Sequence, residues 1–296
     1  MNYQSFVSSV KEKIETLLEP NMSVNIQTTL KNNNRERIGI TISNQNTNIF
    51  PTIYLEEYYI QYLAGRPVSD IAENIVNIYH EVKFETSWDI NQIKIFDQAK
   101  SKIAYRLIHF EKNRKLLNDL PFIPYHDLAI VFYLLIEKTS HGSASILITN
   151  DLLQSWNISL SELYQFASQN TPHLLAAELI PMHAMIQELS GETEDPELPK
   201  ESHMFILTNT QRYFGAACIL YSRVLEDIGN QLNEDFYVLP SSIHETIILP
   251  LSKSSTPEML NEMINAINQT QVAEEEVLSN HAYYYSRKEN RLLQIC

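Results

Sequence analysis

"FYVLPSSIHETIILP", residues 236–250, sets two apolar runs on either side of Pro240-Ser241-Ser242. Each run is short and rich in β-branched and aromatic residues, and proline followed by serine is favourable turn chemistry. The stretch therefore reads as a hairpin, with the serine hydroxyls bonding nearby backbone groups. It also holds reactive residue types. Ser241 or Ser242 as nucleophile with His244 as base would make a serine hydrolase. If the strand continues through 242–245, however, Ser242 and His244 face one way and Glu245 the other, so the orienting acid must come from elsewhere. There is no G-x-S-x-G elbow. The hairpin reading is preferred.

Working outward through the C-terminal half, "LAIVFYLLI" (128–136) reads as a central strand buried on both faces, and "SASILIT" (143–149) as its partner across a turn at His141-Gly142. Asn150 or Asp151 is expected to cap a helix through Trp156, and Ser159 with Glu162 to form a capping box for the next. Ser255 or Thr256 caps "PEMLNEMINAINQ", Pro257 fits its first turn, and Met259, Met263, Ile264 and Ile267 share one face. "HAYYYS" and "RLLQI" suggest a last hairpin. "GETEDPELPKES" (191–202) is acidic, proline-bearing and aperiodic, which predicts an exposed loop.

The N-terminal half opens with Phe6, Val10, Ile14 and Leu17 at helical spacing. "SVNIQTTL" and "RIGITIS" then alternate as two strands around "KNNNRE". Tyr54, Tyr58, Tyr59 and Tyr62 form a stripe at helical spacing that reads as core, with Tyr58 and Tyr62 as candidate ligand contacts. Ser69 is the expected N-cap of "DIAENIVNIYHEV", and "KIAYRLIHF" reads as a strand. These elements predict an α+β fold, with antiparallel or mixed sheets carrying amphipathic helices. Two lobes are expected, 1–120 and 121–296, the second bearing the acidic loop.

A formal charge of −14 opposes attraction to nucleic acid or an anionic membrane surface. Basic runs at 31–37, 111–115 and 283–291 read as strands leading into solvated polar turns, although the last joins bases to aromatics. Cys218 and Cys296 read as reduced thiols. The six glycines are too scattered for a dinucleotide or P-loop motif. No H-E-x-x-H, C-x-x-C or EF-hand loop is present, so neither a metal nor a cofactor is expected. His173, Glu178 and His183 are spaced five apart, which a helix does not place on one face. No apolar run reaches the ~20 residues of a spanning helix, which predicts a soluble, cytoplasmic protein.

"PTIYLEEYYIQYLAGRPVSDI", "PSSIHE" and "LSNHAYYYS" carry a resemblance to an uncharacterised domain-of-unknown-function family of gut anaerobic bacteria. The likeness extends from the N-terminal helix to the end of the chain. It implies a bacterial cytosolic protein and brings no catalytic assignment. His281 and Tyr283, in the L-S-x-H-x-Y-Y-Y stretch, join Tyr58 and Tyr62 as candidate ligand contacts. The expected function is non-enzymatic binding or regulation through a protein or small-ligand partner, with the hydrolase of Ser241 or Ser242 and His244 as the alternative.

Overall fold

A computed structural model describes residues 1–44, 48, 50–83, 91–139, 142–190, 204–254 and 256–295. The acidic stretch 191–202, His141, Ser255 and Cys296 lie outside these residues. The chain divides into two compact units, Met1–Lys31 with Arg35–Gln92, and Asn32–Asn34 with Ile93–Cys296. It is an α+β protein whose sheets, among the described residues, are antiparallel.

The first unit comprises α1 (Tyr3–Leu17), β1 (Ser23–Leu30), β2 (Glu36–Ser43), β3 (Thr52–Tyr54), α2 (Glu56–Leu63) and α3 (Val68–Val82). The strands form one sheet in the order β1-β2-β3. Phe6, Val10 and Ile14 of α1 pack with Ile40 and Ile42 of β2 and Ile71, Ile75 and Tyr79 of α3. The tyrosine stripe is interrupted: Tyr54 ends β3, and the helix starts at Glu56. Tyr58 is buried in the core, while Tyr62 and Tyr59 pack on Phe6 with ring centroids 5.3 and 5.2 Å away. Ser69 is not the cap of α3. Pro67 holds that position without a side-chain bond, because its fixed φ suits the helix entry, and Ser69 Oγ donates to Asp70 at 2.9 Å.

Glu56 organises the start of α2. Its carboxylate accepts from Arg37 Nε at 3.0 Å, from the Tyr3 hydroxyl at 2.9 Å and from the Ile38 N–H at 2.8 Å. Partial burial acts to raise its pKa, but these hydrogen bonds outweigh it and hold the carboxyl below its ordinary value. The contribution to stability is therefore fully present above the unfolded-state pKa and is lost as pH falls through the lower folded-state pKa. Glu56→Ala is expected to cost about 1–2 kcal/mol at neutral pH, discounted for partial exposure. The gap between wild type and variant should close on acidification in urea titrations from pH 7 to 3. A gap that does not change with pH would show that the carboxylate is not the source.

The second unit contains the remaining elements. After α4 (Asn91–Lys94), which spans the boundary in sequence, come α5 (Phe96–Ala99), β4 (Ile103–His109), α6 (Arg114–Leu117), β5 (Phe122–Tyr125), β6 (Leu128–Thr139) and β7 (Gly142–Leu147). Next are α7 (Asn150–Trp156), α8 (Leu160–Leu174), β8 (Ala177–Pro181), α9 (Met182–Ser190), β9 (Phe205–Asn209) and α10 (Val224–Leu232). The chain ends with β10 (Phe236–Leu239), β11 (Thr246–Pro250), α11 (Pro257–Thr270), β12 (Tyr283–Ser286) and β13 (Arg291–Gln294).

One sheet of this unit has the order β4-β6-β5, with β7 also on β6; the other runs β13-β12-β10-β11-β9-β8. Because β4 pairs along its length with β6, residues 93–120, which the sequence groups with the N-terminal lobe, fold into the second unit. The cap of α7 is Thr149, one residue before the expected asparagine, accepting from Leu152 N–H at 3.2 Å. The Ser159–Glu162 capping box is present, and α8 continues to Leu174 through Pro172.

The asparagine run at 32–34 is not a solvated turn. Asn32 Nδ2 donates to the Glu275 carbonyl at 2.7 Å, and Asn33 Nδ2 to the Val277 carbonyl at 2.7 Å. Asn33 and Asn34 adopt left-handed φ values of 60° and 55°, which asparagine tolerates better than most residues.

Candidate functional site

The opening stretch does form an antiparallel pair, with Leu239 opposite Ile247. The second strand starts only at Thr246, so the alternation expected across 242–245 does not apply. Residues 240–245 instead form a longer connection laid against 276–279. Ile243 N–H donates to the Glu276 carbonyl at 2.8 Å, Leu278 N–H to the Ser241 carbonyl at 3.0 Å, and Ser279 N–H to the Pro240 carbonyl at 2.9 Å. Ser241 and Ser242 are buried by this contact. The Ser242 hydroxyl accepts from the His244 backbone N–H at 3.0 Å, the local bond expected of a turn serine.

Both ring nitrogens of His244 are engaged. Nδ1 accepts from the Phe214 N–H at 3.3 Å, and Nε2 lies 3.5 Å from Glu276 Oε1. Gly215 follows Phe214 and admits no side chain, since a Cβ there would lie 2.5 Å from the His244 carbonyl oxygen and 2.2 Å from Thr208 Oγ1. The distant acid that the hydrolase reading requires is thus beside the imidazole, but the lone pair that would serve as base is already taken.

The tyrosine-rich end of the chain builds a second constellation. β5 and β6 are joined by His126 and Asp127, with His126 in the left-handed region at φ 55°. Asp127 accepts from the Ser279 hydroxyl at 2.6 Å through one oxygen and from the Tyr283 hydroxyl through the other. Ser279 and Tyr283 are fully buried, and burial together with the Asp127 charge pushes the Tyr283 phenol up. The His126 ring stacks on Tyr283 with centroids 5.1 Å apart. His281 is exposed, and its backbone N–H donates to Ser279 Oγ at 2.9 Å. The motif serine and tyrosine are therefore committed to holding the β5–β6 turn.

That turn forms one wall of a cavity of about 450 Å³. Tyr125, His126, Tyr221, Arg223, Glu226, Tyr285, Asn290 and Arg291 line it, with Pro124, Ile219, Leu225 and Leu292 as apolar contacts. A neighbouring cavity of about 280 Å³ shares Glu226, Tyr285 and Asn290 and adds Asn230, Arg287 and Lys288. Three lining residues, His126, Arg223 and Asn290, have positive φ values of 55°, 68° and 47°. Asparagine tolerates this region, but at His126 and Arg223 such strain is held only where the surroundings over-determine it, and it collects at functional sites. Here the Tyr285 hydroxyl fixes Asn290 with a 2.6 Å hydrogen bond, and Arg223 Nε lies 3.6 Å from Glu226. Partial burial holds the His126 imidazole below its ordinary pKa, Arg291 acts in the same direction, and Asp127 opposes them. The ring is thus neutral near pH 7, a hydrogen-bonding group rather than a cation.

A family model for a family of unknown function, DUF5688, matches residues 3–287. The chain belongs to DUF5688. No curated protein and no solved structure matches it at a significant level. The match to DUF5688 takes in the opening stretch, the Asp127 clamp and most of the cavity wall.

Of the sequence candidates, Tyr283 is placed directly behind the cavity wall and His281 at the exposed edge of the same motif. Tyr58 and Tyr62 belong to the packing of the first unit. Arg223, His126 and Glu226 were missed, and no local pattern marks them, since each sits in an ordinary-looking turn or helix start. The run 283–291 was the one usable signal, through its mixture of tyrosines and bases. Cys218 is a free, buried thiol, raised by burial to about 12, and it donates to the Thr208 carbonyl at 3.1 Å. Among the described residues, no group of three or more His, Cys, Asp or Glu side chains is arranged to hold a metal ion. No helix among them is long and apolar enough to cross a membrane.

Proposed function

We propose that this DUF5688 protein is a non-enzymatic binding or regulatory protein of the bacterial cytosol, and that the cavity beside Tyr125, His126 and Tyr285 takes a small ligand. The ligand carries a planar apolar part and an anionic group. The observation that carries the reading is the combination, in one cavity of about 450 Å³, of tyrosine walls, arginines at 223 and 291 and left-handed backbone at His126 and Arg223. That volume suits a small molecule, and a few placed polar groups in an aromatic cleft give orientation. Cations gathered there, in a chain of net charge −14, favour an anion locally where the overall field does not. The cytosolic setting rests on the family resemblance.

Native mass spectrometry of the purified protein is expected to reveal a co-purifying small-molecule mass. Arg291→Ala should weaken its retention about tenfold, the usual size of a lost charge-assisted hydrogen bond. Absence of any adduct, together with no thermal shift in a panel of anionic aromatic compounds, would overturn the reading.

The hydrolase reading keeps one supporting observation, the Glu276 carboxylate 3.5 Å from His244 Nε2. It requires Nδ1 to leave the Phe214 N–H and the ring to turn toward Ser241 or Ser242. Stoichiometric labelling of either serine by a fluorophosphonate, abolished by His244→Ala in a folded protein, would establish it. The expected result is no labelling.

A further inference from the structure

Arg106 lies on β4 opposite Val131 of β6, and Tyr133, two residues along β6, faces the same way. Its guanidinium sits 4.3 Å from the centroid of the Phe214 ring, which Tyr133 meets edge-on at 5.7 Å. Phe214 is a fixed platform. It is held at a left-handed φ of 56°, its N–H is bonded to His244, and the His244 imidazole stacks on it at 5.8 Å.

Among the described residues, this arrangement holds no anion. Arg106 Nε and the Tyr133 hydroxyl are both buried, and neither has a hydrogen-bond partner among the described residues. Among the described residues, the groups that act electrostatically on the guanidinium are the phenols of Tyr213 and Tyr133 rather than a carboxylate. A buried cation is ordinarily paired, because leaving it uncompensated costs several times what a ring face returns. Burial accordingly depresses the Arg106 pKa. Buried polar atoms without partners are also exceptional in folded proteins, and here two of them share one face of one strand pair. Arg106 as a whole stays partly exposed, which leaves a route from solvent. Neither residue lines the cavity described above, so the site is independent of it.

We propose that Arg106 and Tyr133 form a binding site for the carboxylate group of a small organic anion. A carboxylate is planar and accepts two parallel hydrogen bonds from the edge of a guanidinium, leaving a lone pair for the Tyr133 hydroxyl. Its single negative charge neutralises the single cation, whose Nε edge is buried. A phosphate dianion would leave a net negative charge in the same buried place, and sulfate would do likewise.

The test reads the Arg106 Nε–H directly, in ¹H–¹⁵N spectra of the full chain titrated with acetate, pyruvate and benzoate and, separately, with inorganic phosphate and sulfate. The resonance is assigned by its loss in Arg106→Met. At least one carboxylate is expected to shift it saturably at millimolar concentration or below, with phosphate and sulfate at least tenfold weaker. By calorimetry, Tyr133→Phe should weaken that carboxylate severalfold, and Arg106→Lys, which keeps the charge but loses the fork, at least tenfold. Arg106→Met should abolish binding while raising the melting temperature of the unliganded protein, because an unpaired buried charge has been removed. No saturable shift in wild type would overturn the proposal, and that reading needs no variant to fold. Equal or tighter binding of phosphate, or carboxylate affinity unchanged in Arg106→Lys, would overturn it as well.

Discussion

Ile248→Ala is expected to destabilise the second unit by about 2–5 kcal/mol, as deletion of a fully buried aliphatic side chain does when its surroundings cannot collapse into the void. Ile248 has no solvent exposure and lies on β11, with Val238 of β10 on one side and Phe205 of β9 on the other. Its neighbour Ile247 points to the opposite face and is only half-buried, so Ile247→Ala should cost less, about 1–2 kcal/mol. Ser242→Ala removes one acceptor, that of the His244 N–H, and should cost about 0.5–1.5 kcal/mol. Urea denaturation followed by circular dichroism gives all three values. If Ser242→Ala proved as damaging as Ile248→Ala, the 240–245 connection rather than the strand would be organising this sheet.

The same stretch shows what a sequence can disclose and what it cannot. Strand content at 236–239 and 246–250 was legible because composition and turn residues are local properties. So were residues 128–136 of the long strand, the strand at 103–109, the Ser159–Glu162 capping box and the proline-led helix at 257. The length of the 240–245 connection was not legible, because what holds it is Glu276, Leu278 and Ser279, remote in sequence. β8 was missed for a related reason. Its residues are all half-buried and show no alternation, and only pairing with β9 makes Ala177–Pro181 a strand. The boundary near residue 92 follows from β4 pairing with β6, which no composition shift announces.

The candidate cavity was legible only in part. It draws on 124–126, 219–226 and 285–292, three segments brought together by sheet order. Sequence marks the last through its tyrosines and bases, but the left-handed backbone at His126 and Arg223 leaves no trace in residue type, since neither is glycine or asparagine. Strain of that kind is imposed by tertiary contacts, and only the folded chain displays it.

Asp127→Ala should be comparably severe, at about 2–5 kcal/mol, and for a different physical reason. The carboxylate serves two buried hydroxyls, Ser279 at 2.6 Å and Tyr283 through its other oxygen. Truncation removes both acceptors at once, and each orphaned hydroxyl, shut off from water, costs about 1–3 kcal/mol. Asp127→Asn retains one acceptor oxygen, and its amide can donate to the second hydroxyl, so it should recover roughly half of the loss. A double-mutant cycle separates this from general disruption of the turn. Tyr283→Phe should cost about 1–3 kcal/mol in wild type, where it leaves a carboxylate oxygen unserved, and should recover about 1–3 kcal/mol in Asp127→Ala, where it removes a buried hydroxyl that has already lost its partner. Because His126 precedes Asp127 and stacks on Tyr283, loosening this clamp should also weaken ligand retention in the cavity even though neither Asp127 nor Tyr283 lines it. Equal cost of Tyr283→Phe in both backgrounds would mean that the carboxylate and the phenol are not energetically coupled, and the clamp would then have no role in positioning His126.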